Sequence, residues 1–163
     1  MKRKIEELQP QELLALAIAI EQANQKTLRG YAEMFAGRDE EVSKNFEEMS
    51  EEEARHEEYL QQKFAKMFKG PLPAVEHFDM DEVMEKVDLD DSEHLILDSH
   101  HPQRVFLQVL EAEKKAKDFY LVASRTVKDH VLANLFHELA EMEGDHAEWL
   151  EMKLYPDKYG SHP

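Results

Sequence analysis

Apolar residues recur three and four positions apart along four stretches of this chain, the spacing of one buried helical face. The first stretch runs from Pro10 to about Ala36, with Leu14, Ala17, Ile18, Leu28, Ala32 and Phe35 on its stripe. Proline suits its first turn, and Gly37 ends the pattern. The second follows Asp39, an N-cap residue with Glu40 and Glu41 at the positive end of the helix dipole. It carries Val42, Phe46, Met49, Leu60, Phe64 and Met67 and runs to about Lys69, where Gly70-Pro71 stops it. The third spans Pro102 to about Thr126, with Phe106, Val109, Leu110, Ala116, Tyr120 and Ala123 on its stripe. The fourth follows Asp129 and stops at Pro156, with Leu132, Phe136, Leu139, Leu150 and Leu154 on its stripe; a short frayed tail is expected beyond it.

Residues 70–101 break the pattern and are strongly acidic. The segment 79–87 can form a short surface helix. Residues 88–93 resemble a calcium loop only superficially, because Glu93 stands where glycine is needed and Ser99 where glutamate is needed. A connection this long inside a compact domain implies that it must travel. Helices of about 26 residues are about 40 Å long at 1.5 Å per residue, so the connection can cross from one end of a bundle to the other. The expected fold is therefore all-α: one domain over 1–163, a four-helix bundle with a long crossover between parallel helices 2 and 3.

The stripes are interrupted by charge. Glu21 sits in the first, Glu53 and His56 in the second, Glu113 in the third, Glu143 and His146 in the fourth. On the third helix Glu113 is chosen over Glu111, because its helical neighbours are Val109, Leu110, Ala116 and Tyr120. The halves repeat: residues 51–64 match 141–154 at Glu51, Glu53, His56, Glu58, Leu60 and Lys63. Asp39 and Asp129 keep the same offset, as do Phe46 and Phe136, so the chain reads as a duplicated helical hairpin. Counted from each hairpin's turn, the paired acids meet within roughly 3 Å along the axis.

An ionised carboxylate in an apolar interior costs several kcal/mol unless it is compensated. Two divalent cations would match four carboxylates, and two neutral imidazoles would add donor atoms without charge. An acid–histidine network without metal would leave two charges unbalanced. Mixed carboxylate and imidazole ligation suits iron or manganese. The spacing of Glu and His three apart lets one helix supply both an oxygen and a nitrogen.

Composition narrows the picture further. The 163 residues hold 36 acidic and 20 basic side chains, a net charge of -16, which argues against nucleic acid as a partner. The absence of cysteine excludes disulfides, iron–sulfur clusters, Cys-ligated zinc and a rubredoxin-type iron site within the chain. The apolar run 13–20 is separated from the basic start by Glu6, Glu7 and Glu12 and is followed by Glu21, so it reads as the start of an amphipathic helix rather than a signal peptide. It is too short to span a bilayer. No membrane association and a cytoplasmic location are expected.

Glu on helix 1, E-x-x-H on helix 2, Glu on helix 3 and E-x-x-H on helix 4 resemble the ferritin-like di-iron carboxylate families, closest to stand-alone rubrerythrin domains. The stretches EAEKKAKDFY (111–120) and LAEMEGDHAEWL (139–150) carry the strongest likeness. The resemblance implies two iron ions, with manganese as the alternative, held by Glu21, Glu53, His56, Glu113, Glu143 and His146. It implies that Glu53 and Glu143 bridge them. Rubrerythrins place a further Glu three residues after the first on helix 3, where this chain has Ala116. Bacterioferritins bind haem through a Met after the helix 2 Glu, where this chain has Ala54, so no haem is expected.

The function implied is a non-haem di-iron oxidoreductase, a peroxidase or ferroxidase that reduces hydrogen peroxide or dioxygen with electrons from a separate donor protein. Iron binding and storage is one alternative, and a metal-stabilised non-catalytic bundle is another. A homodimer or small homo-oligomer is expected. Tyr120 can hydrogen-bond a ligand carboxylate, or serve as a core tyrosine; its counterpart in the first half is Leu28, so the halves need not be equal. Trp149 and Tyr59 are equivalent in the repeat and read as packing or dimer residues. His130 and His137 fall off the stripe and read as solvated. His100-His101 reads as part of a helix-start loop.

Overall fold

The computed structural model describes residues 3–74 and 102–159. Four long helices dominate: α1 (Pro10–Phe35), α2 (Glu40–Met67), α3 (Pro102–Thr126) and α4 (His130–Leu154). A single turn, α5 (Pro156–Tyr159), follows, and a 3-10 turn at Ile5–Glu7 precedes them. The tail expected to fray therefore holds one helical turn, begun by Pro156 and closed by the Lys158 N–H donating to the Tyr155 carbonyl at 3.1 Å.

The helix starts follow their capping chemistry. The Asp39 carboxylate accepts from the Val42 N–H at 3.1 Å, and Asp129 accepts from the Leu132 N–H at 3.0 Å. Gly37, at φ +80°, makes the left-handed step between α1 and α2. α2 ends at Met67, two residues short of the expected Lys69.

α1 pairs with α2 and α3 with α4. The buried apolar residues form two clusters. One holds the start of α1 (Leu13 to Ile20), the end of α2 (Leu60, Phe64), the end of α3 (Phe119, Tyr120, Ala123) and the start of α4 (Leu132 to Ala140). The other holds the opposite ends of the same helices, with Leu28, Tyr31, Phe46, Phe106 and Leu150 among its members. The end of α2 and the start of α3 thus lie at opposite ends of the bundle, and the two helices run parallel, as the long connection implied. The segment 79–87, the residues compared with a calcium loop and His100-His101 lie outside the described residues.

The run 13–20 differs from its expected amphipathic form. Leu13, Leu14, Ala15, Leu16, Ala17, Ile18 and Ile20 are all buried, which covers every face of the helix. The 3-10 turn packs against α3, and with Leu8 it joins Ile5 to the same cluster, closing the side that would otherwise meet water.

Phe46 anchors the second cluster. Its ring centroid lies 5.7 Å from Tyr31, 6.0 Å from Phe35 and 5.5 Å from Phe106. Removing a fully buried ring costs about 3–5 kcal/mol. Phe46→Ala is therefore expected to lower the urea midpoint sharply with an unchanged slope; a midpoint within error of the parent would show that this cluster does not hold the fold.

Candidate metal centre

The four acids sit where the helices bring their apolar stripes together. Glu21, Glu53 and Glu143 are 0% exposed, Glu113 is 1%, and all four lie between the two apolar clusters. The structure brings all six predicted site residues together. Glu21, Glu53, His56 and Glu143 form one group, and Glu53, Glu113, Glu143 and His146 form a second; in each, four ligand atoms lie within 4.8 Å of one another. Glu53 and Glu143 belong to both.

The atoms divide cleanly. His56 Nδ1 lies 3.4 Å from Glu21 Oε2, 3.4 Å from Glu53 Oε2 and 3.5 Å from Glu143 Oε1. His146 Nδ1 lies 3.1 Å from Glu53 Oε1, 3.5 Å from Glu113 Oε2 and 3.7 Å from Glu143 Oε2. Each shared glutamate thus offers one oxygen to each group. None of these eight atoms is aligned on another as a hydrogen bond, although all are buried. They gather instead into the two groups of four ligand atoms. A buried polar atom without a partner costs about 1–3 kcal/mol, and cations placed between these eight would offset that cost. Oxygen and imidazole donors, four to a group with two shared, fit a pair of divalent transition-metal ions.

Burial and mutual charge shift the proton affinities of the same groups in the metal-free chain. Burial pushes the Glu21 carboxyl well above the ordinary range, helped by the charges of Glu53 and Glu143. Glu113 moves the same way, through burial first and then Glu143 and Glu53. Burial also opposes ionisation of Glu53 and Glu143, but the neighbouring Glu21 and Glu113 carboxyls and both imidazoles outweigh it and hold them low. Burial opposes charge on His56, yet Glu143, Glu21 and Glu53 push it up to about 12. Burial opposes charge on His146 as well, yet Glu113, Glu143 and Glu53 raise it.

Two residues outside the six complete the site. The Tyr120 hydroxyl donates a short hydrogen bond to Glu21 Oε1, across the bundle from α3 to α1. Tyr120 is fully buried, so it is a core residue and a partner of a site carboxylate at once. Glu52 was not foreseen. Its Oε2 lies 2.5 Å from His146 Nε2, the ring nitrogen turned away from the cluster. It occupies the flank of α2 beside Glu53, and 94 residues separate the pair, so no local spacing points to it.

A groove of about 490 Å³ opens between α2 and α4 and reaches the outer edges of His56 and His146. Tyr59, 48% exposed, lines it. Its repeat partner Trp149 instead packs edge-on against Phe106, centroids 6.2 Å apart. His130 and His137 are exposed, as expected. Among the described residues no helix is long and apolar enough to cross a membrane.

Solved structures of other proteins are similar to this chain. A hypothetical protein from Pyrococcus furiosus has a similar solved structure, with a TM-score of 0.70 at 23% identity over 97% of this chain and 98% of that one. An uncharacterized conserved protein from Magnetospirillum magnetotacticum MS-1 gives 0.73 at 18% identity over 96% and 98%. At such identities the likeness shows the fold, an all-α ferritin-like bundle. No curated protein matches the chain. The family model for rubrerythrin matches residues 12–93, which include Glu21, Glu53 and His56. That match covers half of the chain, and with it the chain belongs to the rubrerythrin family.

Proposed function

We propose that the chain is a non-haem di-iron oxidoreductase that reduces hydrogen peroxide or dioxygen. The observation behind this reading is the sharing of Glu53 and Glu143 between two adjacent four-atom groups. Two metals held side by side suit a two-electron reduction. Loaded as two Fe(II) ions, the centre would supply one electron from each ion, so that one hydrogen peroxide and two protons give two waters.

The chain's own residues arrange this chemistry. Glu21, Glu53, Glu113 and Glu143 would hold the ions with His56 and His146, each imidazole through Nδ1. The two apolar clusters above and below keep bulk water from the layer. The groove between α2 and α4 gives a small oxidant a way to the histidine edges. Tyr120 fixes Glu21 by its hydroxyl. A separate donor protein would return the electrons, and manganese is the alternative metal. A small homo-oligomer in the cytoplasm is the matching setting.

The test is an anaerobic titration of the Fe(II)-loaded chain with hydrogen peroxide, followed optically. Consumption of one peroxide per two Fe(II), with all iron still bound afterwards, is expected. Iron that leaves the site as larger oxidised particles would favour storage. A loaded chain that gains thermal stability but consumes no peroxide would leave a metal-stabilised bundle as the answer.

A further inference from the structure

The duplicated hairpin makes the two half-sites near copies, and their differences are therefore informative. In the repeat Glu53 matches Glu143 and His56 matches His146, so Glu52 matches Met142. Glu52 holds His146 at its outer nitrogen, 2.5 Å away. Met142 stands at the corresponding place on α4 and lines the same groove as His56. One imidazole has a carboxylate behind it; at the matching position behind the other stands a thioether that can carry no charge. With Nδ1 turned to the cluster, the hydrogen on His146 Nε2 is the one Glu52 accepts. That contact fixes the ring plane and makes Nδ1 a stronger donor.

The second difference falls on the acids. Tyr120 occupies Glu21 Oε1, which leaves Oε2 as the oxygen turned to His56. The position matching Tyr120 in the first half is Leu28, which has no hydroxyl to give Glu113. A hydrogen bond into a carboxylate draws charge from it and weakens it as a ligand. Both differences act in one direction.

We propose that the half-site of Glu113 and His146 takes the first metal ion and that of Glu21 and His56 the second, with Glu52 as the residue that positions His146 for the tighter step. This rests on the metal centre proposed above. It adds an order of filling and names the side chains that set it.

Cobalt(II) titrated into the metal-stripped full-length chain, by calorimetry and visible absorption, tests the idea. Loss of a carboxylate behind a ligating histidine typically weakens metal binding about 10–100-fold. Two steps separated by that factor are expected in the parent. Glu52→Met should weaken the tighter step by at least about tenfold and alter the absorption of the first equivalent. Glu52→Gln, whose amide oxygen still accepts from Nε2–H, should keep most of the affinity. Met142→Glu should tighten the weaker step and leave the first-equivalent spectrum alone. Glu52 is 44% exposed at its side chain and Met142 is 43% exposed, so neither change opens the core. Two equivalent steps in the parent, or a Glu52→Met chain with both steps unaltered, would overturn the inference while the centre stands. A parent chain that binds no cobalt at all would remove the centre and the inference together.

Discussion

Replacing Glu53 with alanine is expected to abolish binding of both metal ions, whereas Glu21→Ala or Glu113→Ala should leave one. Glu53 gives Oε2 to the group around His56 and Oε1 to the group around His146, so its removal strips a donor from each. Glu21 and Glu113 each belong to a single group. Metal analysis after anaerobic loading and desalting should fall from two ions per chain to none for Glu53→Ala, and to one for either terminal acid. Removing one member of a buried ionic cluster can cost about 3–5 kcal/mol, so folding is checked by circular dichroism. Glu53→Gln provides a second variant that retains the volume. If Glu53→Ala and Glu21→Ala lose the same number of ions, the shared role assigned to Glu53 is wrong.

The second large effect concerns pH. In the metal-free chain His56 is raised from 6.5 to about 12, so its contribution is full below pH 6.5 and disappears as pH climbs through the folded value. His146 follows the same direction. Glu21 and Glu113 are raised above 4.5, so they too contribute fully below that pH and lose their contribution above it. Glu53 and Glu143 are lowered, so theirs is present above 4.5 and lost as pH falls. Stability of the metal-free chain should therefore decline from about pH 4.5 upward, and faster above about 6.5.

The loaded chain should behave oppositely, because the ligands must shed those protons to bind metal. Each site occupied at a hundredfold excess over its Kd adds about 2.7 kcal/mol. For a chain of this size two such sites correspond to a Tm rise of roughly 10–20 °C. Melts at pH 5.5, 7.0 and 8.5, with chelator and with metal, should give curves that diverge as pH rises. Parallel curves would show that the buried protons and the metal do not compete.

Much of this was legible in the chain itself. Period-3.6 stripes mark the four helices because a helix buries one face. Asp39 and Asp129 mark two starts because a short acid side chain reaches the free N–H groups of the first turn. The six ligand candidates showed themselves as charge on an apolar stripe, a conflict that burial makes costly. The parallel course of α2 and α3 followed from a connection too long for a tight turn.

Other features depended on contacts across the bundle. Periodicity says which face of a helix is inward, but it does not say which side chain on another helix that face will meet. Glu52 lies off the apolar stripe of α2, and only the packing of α2 beside α4 set it against His146. Tyr120 could have been core or partner; the approach of α3 to α1 made it both. The assignment of one oxygen of Glu53 and of Glu143 to each group is likewise a matter of rotamer and helix register. So is the cover that Ile5 and Leu8 give the run 13–20, which the stripe alone left facing water. The sequence determined the rods and the charge they bury; the packing of four rods decided which atoms share a centre.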